Sequence, residues 1–194
     1  MQDNNNQDIE FESHSDKINT NRLNELCASL PALLKDKSKW QSLKICKFEP
    51  VIHRLFMQLE DGCTLILHKI FHCEESKPFM HSHSWPFAVR IIDGGYDMSV
   101  GFSYSRHCAP KPIYKTTVKS GDTYEMLSPN IWHTTDVHKN NKCSYSIMII
   151  GPRWRDRLAQ NNDQLSQEDF DHLYDYFLDW SYSEKNNYFC DPNP

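Results

Sequence analysis

The hydrophobic pattern divides the chain into two helical ends and a β-rich middle. From Thr20 onward, Leu23, Leu26, Leu30, Leu33 and Leu34 recur at intervals of three and four, which is one face of a helix. Pro31 is expected to bend or split it. Residues 51–59 and 63–71 read as strands joined by a hairpin turn at Glu60-Asp61-Gly62. Further strand-like runs cover residues 85–92, 96–104, 113–119, 132–138 and 143–150, with Asp93-Gly94-Gly95, Ser120-Gly121-Asp122 and Lys139-Asn140-Asn141 as turns. Short strands at such spacing predict a sandwich or barrel. Ser166 then caps a second helix whose apolar face is Phe170, Leu173, Tyr174, Phe177 and Leu178, extending to Tyr182. The expected division is a disordered arm over 1–18, a helical segment over 19–40, a barrel over 45–155, and a C-terminal helix and tail over 156–194.

Composition narrows the classes. A chain of 194 residues can bury a full core. A net charge of −5 without a basic block gives no reason to expect nucleic acid. No apolar run is long enough for a membrane span, and the acidic, polar N-terminus is unlike a signal peptide. Seven scattered cysteines without an export signal predict reduced thiols and a cytoplasmic location. The expected partner is a small molecule, and pairing with a second copy into a homodimer is compatible with the chain.

The candidate chemistry lies in His81-Ser82-His83 at the head of an apolar run. Residues i and i+2 of a strand face one side, so both imidazoles can reach one divalent metal. The best third ligand is His133, fifty residues after His83. Glu125 is an outside candidate for a fourth ligand or for a partner to a ligand histidine. His68 and His72 share one face of a strand beside Cys73 and offer a second place for a metal, although paired strand histidines more often bond to neighbours. Trp85, Trp132, Tyr96, Tyr114, Tyr124 and Tyr145 read mainly as barrel lining, with one or two able to floor a pocket; Tyr145 is carried as a catalytic candidate. Arg153, Arg155 and Arg157 are expected to meet acidic groups near the C-terminal helix.

A His-x-His strand ending in a glycine turn, followed by a Gly-Asp turn with a lone histidine twelve residues after Gly121, resembles the two motifs of the cupin superfamily over residues 50–152. The resemblance implies an all-β cupin double-stranded β-helix, or jelly-roll barrel, with the metal in its mouth. Many cupins carry a carboxylate four or five residues after the second histidine, where this chain has Phe87 and Ala88. The implied ligand set is then three neutral imidazoles, which leaves the ion's +2 charge uncancelled and favours an anionic substrate. Fe(II) is the favoured ion, and Zn(II), Ni(II) and Cu(II) also accept such a set. Small uncharacterised cupins of phages and bacteria give a nearer match, through Leu67-His68, His81-Ser82-His83-Ser84-Trp85, Gly94-Gly95-Tyr96 and Gly151-Pro152-Arg153.

The thiol dioxygenases of the cysteine dioxygenase type are a more distant resemblance. They also use three histidines, and an arginine eight residues before the hairpin glycine binds the substrate carboxylate. Arg54 stands eight residues before Gly62, although a surface arginine on a two-sided strand would look the same. The family's crosslinking cysteine is here Ala88, and its Ser-x-His-x-Tyr strand is here Ser146-Ile147-Met148-Ile149-Ile150. Together these features imply a metal-dependent cupin, a non-haem Fe(II) dioxygenase of a small anionic metabolite. The alternatives are a metal-stabilised binding module or sensor, and a Zn or Ni isomerase or lyase.

Overall fold

The structure is a computed structural model that describes residues 17–73, 78–105, 107–154 and 163–183. Two helices, α1 (Thr20–Leu33) and α2 (Gln167–Ser181), flank eleven strands. The strands are β1 (Gln41–Ile45), β2 (Ile52–Gln58), β3 (Thr64–Phe71), β4 (His81–Ser82), β5 (Phe87–Asp93), β6 (Gly95–Phe102), β7 (Tyr114–Lys119), β8 (Thr123–Met126), β9 (Ile131–His133), β10 (Asp136–Val137) and β11 (Cys143–Ile150). Every pairing is antiparallel. One sheet runs β1-β2-β3-β11-β5-β8; in the other, β6 pairs with β7, β9 and β10, and β9 pairs with β4. β1, β2 and β3 are neighbours in one sheet, the chain then crosses repeatedly between the sheets, and the last strand inserts between β3 and β5. This is an all-β jelly-roll sandwich with a helix at each end.

Two cores follow from the alternation along each strand. On the six-stranded sheet, Ile66, Val89, Ile91 and Met148 face inward and meet Tyr96, Met98 and Val137 of the other sheet. The intervening residues, Leu55, Met57, Leu65, Leu67, Ile147 and Ile149, face outward under the helices, against Leu23, Leu26, Leu30, Leu173, Tyr174 and Phe177. Burying both faces explains why β3 and β11 read as continuous apolar runs.

The corner between β5 and β6 shows how the chain changes sheets. Gly94 and Gly95 have φ +74° and +147°. A Cβ on Gly95 would lie 2.5 Å from the carbonyl oxygen of Val118, so only glycine lets β7 approach β6 there.

Several expectations change. Pro31 does not split α1; it sits in the last turn, where only one intrahelical N–H is forgone, and the helix runs on to Leu33. Ile18, assigned to the arm, is fully buried in the outer core, while residues 1–16 and the tail from 184 lie outside the described residues. Tyr182 is the exposed C-cap of α2 rather than part of its apolar face. Six cysteines, Cys27, Cys46, Cys63, Cys73, Cys108 and Cys143, are free thiols. Among the described residues no helix is long and apolar enough to cross a membrane.

Candidate metal centre

His81, His83 and His133 converge. Their ligating nitrogens all lie within 4.8 Å of one another, and no carboxylate or thiol joins the group among the described residues. His81 lies on β4 directly opposite His133 of β9. Facing each other across an antiparallel pair brings two side chains within about 5 Å. His83 is not on the strand: β4 ends at Ser82, and His83 begins the loop to β5. The i, i+2 strand geometry is therefore replaced by a strand residue plus a loop residue, with the same convergence.

That loop is held by the residues that follow the last strand, whose end pairs with the start of β5. The backbone N–H of Gly151 donates to the Pro86 carbonyl at 3.0 Å, and that of Trp154 donates to the Ser84 carbonyl at 2.8 Å. The Arg153 guanidinium lies 5.8 Å from the Trp85 ring centre. Arg153 thus faces an aromatic ring rather than the expected acidic group; Arg155 and Arg157 lie outside the described residues. The co-occurrence of a tryptophan after the histidine pair with Gly-Pro-Arg after the last strand was the one sequence signal of this buttress.

The geometry suits a metal. The Nε2 atoms of His83 and His133 are 2.9 Å apart. Two nitrogens each ~2.1 Å from one ion and at right angles to it would be ~3 Å apart. His81 Nδ1 lies 3.0 Å from the Phe79 carbonyl oxygen, which fixes the proton on Nδ1 and leaves Nε2 as the ligand atom. Burial holds His133 well below the usual histidine range, and the neighbouring His81 adds to that, so the ring is neutral as a ligand must be. The surroundings are aromatic: Phe87 is 4.5 Å from His83 between ring centres, and Trp85 is 5.9 Å from it. Deeper in the barrel, Phe87 meets Tyr124, whose hydroxyl pairs with that of Tyr96 at 2.7 Å.

The remaining candidates separate. Arg54 of β2 shares the inward face with Ile52 and Phe56, and its Nε donates to His68 Nε2 at 2.8 Å. Arg54 is half-buried there. Glu125 is turned away from the histidines; it accepts from the backbone N–H and hydroxyl of Thr20 at 2.6 and 2.8 Å, anchoring the N-terminus of α1. Alternation along β8 explains this, because Tyr124 takes the inward face. Tyr145 is likewise not brought to the site. It lies on the helix-facing side of β11, stacked on Tyr176 of α2 at 3.7 Å between ring centres. Tyr114 is exposed rather than lining. His72 Nδ1 contacts the Val137 carbonyl at 2.7 Å, and with His68 engaged by Arg54 the two histidines do not share a metal-ligating group among the described residues.

No protein-family model and no curated protein matches the chain. Solved structures do. The hydroxypropylphosphonic acid epoxidase from S. wedmorenis shares 10% identity over 60% of this chain and 58% of that chain, with a TM-score of 0.46. The Fe(II) form of HppE gives 10% identity, 60% and 59% coverage, and a TM-score of 0.47. The EutQ protein of Clostridium difficile gives 10%, 54%, 70% and 0.39. The chain spans less than two thirds of the epoxidase's length, 58% of it.

Proposed function

We propose that the protein is a metal-dependent cupin oxygenase, a non-haem Fe(II) dioxygenase of a small carboxylic acid. The observation that carries this reading is the group of three imidazoles without a carboxylate. His81, His83 and His133 would hold the ion, which when bound would supply redox chemistry with dioxygen. The chain's own residues position and exclude. A three-imidazole set leaves the ion's charge in place and so favours an anion beside it. Arg54, on the inward face, would pair with the carboxylate, and Phe87 with the apolar interior would keep water from the reacting end. Met148 and Ile150, which pack in the inner core, stand where thiol dioxygenases carry polar residues, so the acid should be more apolar than cysteine; Ala88 faces the helices. A metal-stabilised binding module is the second reading, supported by the absence of any acid or base joining the histidine group among the described residues.

The test is metal content by mass spectrometry, after aerobic and anaerobic purification, with oxygen uptake by the Fe(II)-loaded protein against a panel of carboxylic acids that includes cysteine. We expect one divalent metal per chain, lost in each of His81→Ala, His83→Ala and His133→Ala. Full occupancy in His133→Ala would sink the ligand set. A ligand-dependent rise in melting temperature without oxygen uptake would favour the binding module.

A further inference from the structure

The large apolar side chains left exposed are not spread evenly over the surface. Of the seven among the described residues, Phe102, Tyr104, Ile113 and Tyr114 belong to the end of β6, the start of β7 and the loop between them. Two more, Phe48 and Phe79, cover each other by stacking at 4.6 Å between ring centres. In the first group Tyr104 meets Phe102 edge-on at 5.1 Å, and Phe102 still remains 45% exposed.

The register ties this patch to the metal centre. His81 of β4, His133 of β9, Val100 of β6 and Tyr114 of β7 stand in one row across the sheet. Phe102 stands opposite Ile131 two residues further along, ~7 Å from that row. Alternation puts Phe102 on the inward face, after Tyr96, Met98 and Val100 of the inner core. Met98 is 5% exposed, so the inward face of β6 leaves the core between Met98 and Phe102. The opposite face of β6 and β7 is polar. It carries Asp97, Ser99, Lys115 and Thr117, with the Thr117 hydroxyl donating to Asp97 at 2.6 Å. A protein partner laid on this sheet from outside would meet those groups. Phe102 instead shares its face with His133, so whatever covers the ring also comes beside the ion's ligands. That placement fits a small ligand better than a second protein surface.

We propose that Phe102, flanked by Tyr104 and Ile131, is a specificity-determining residue of the metal centre and seats the apolar tail of an amphipathic acid. The ligand's anionic end would lie at the ion, and several carbons of tail would run over the Phe102 ring toward solvent. This rests on the reading of His81, His83 and His133 as an ion site that favours an anion. It adds the class of acid: a carboxylate with an apolar tail, rather than a compact polar one.

The experiment titrates acetate, butyrate, hexanoate and octanoate into the full-length zinc-loaded protein by calorimetry. Wild type should gain about two- to fourfold in affinity per added methylene between butyrate and octanoate. Phe102→Ser should bring that gain below about 1.5-fold. Zinc content, melting temperature and acetate affinity should stay as in wild type, because the ring lies beyond the core. Phe102→Leu, which keeps an apolar side chain, should retain most of the gain. A gain that Phe102→Ser leaves unchanged would overturn the inference. So would a gain lost in Phe79→Ser but kept in Phe102→Ser, which would seat the tail beside His81 instead. Equal affinity for all four acids with zinc bound would overturn this inference alone, whereas no zinc in wild type would remove the ion and the inference with it. A dimer that Phe102→Ser dissociates, without any gain per methylene, would make the patch a contact between copies and would also overturn it.

Discussion

Replacing Phe177 by alanine tests whether the C-terminal helix is a structural element separate from the metal centre. The ring is fully buried in the outer core, edge-on to Tyr145 at 6.2 Å and to Tyr176 at 5.6 Å. Truncation removes roughly six carbons, and at ~0.8 kcal/mol each the transfer loss is ~5 kcal/mol. Partial collapse of α2 onto the sheet offsets some of this, while the two aromatic contacts add to the loss, giving about 3–5 kcal/mol. For a chain of this size that is a fall of ~10 °C in melting temperature. Metal content of the folded variant should not change, because Phe177 packs on the outward face of the six-stranded sheet. Urea denaturation, calorimetric melting and metal analysis on one preparation measure all three quantities. Metal loss at an unchanged melting temperature would refute the reasoning and make α2 a lid on the site.

Other expectations follow from single contacts. Glu125→Ala should cost about 1 kcal/mol by releasing the start of α1, with metal content unchanged; loss of metal would return Glu125 to the ligand sphere. Gly95→Ala should destabilise by about 1–3 kcal/mol, read by thermal melting, since its Cβ would press on the Val118 backbone. Burial, and then the charge of Arg54, hold His68 well below the usual histidine range. Below about pH 6.5 the unfolded chain therefore binds a proton that the folded chain refuses, and stability falls by up to ~1.4 kcal/mol per pH unit until the folded group titrates. Urea melts at about pH 7.5 and about pH 5.5 should show a smaller acid loss in His68→Gln than in wild type.

Strands with strong alternation or continuous apolar character were legible in the sequence. β11 is found over the expected residues, β2 is one residue shorter at each end, and β3 is one residue shorter at its start. β1 and β8 were not anticipated, because Gln41-Ser42-Leu43-Lys44-Ile45 and Thr123-Tyr124-Glu125-Met126 are short and mostly polar, and their pairing depends on β2 and β5. The run over 132–138 divides into β9 and β10, which pair with β6 at separate places. The grouping of the three histidines was legible from the His-x-His pair together with the resemblance to the two cupin motifs, although His83 proves to lie on a loop rather than a strand. Which way Glu125 and Tyr145 point was not, since the face of a strand is set by its register with neighbours and by the helices that cover it. The Arg54–His68 pair was equally hidden, as it joins two residues that become neighbours only once the β2–β3 hairpin has closed in register.

The backbone bonds from Gly151 and Trp154 to the His83 loop also impose an order of events. During synthesis His81 and His83 leave the ribosome about fifty residues before His133 and about seventy before Gly151. The loop bearing His83 cannot take its final position until β11 has slotted between β3 and β5 and the chain beyond it has folded back. Contacts so distant in sequence form late. The ligand set is thus completed only by the closing step of folding, so a nascent chain offers a passing metal at most an incomplete pair, and the ion is selected by the finished barrel.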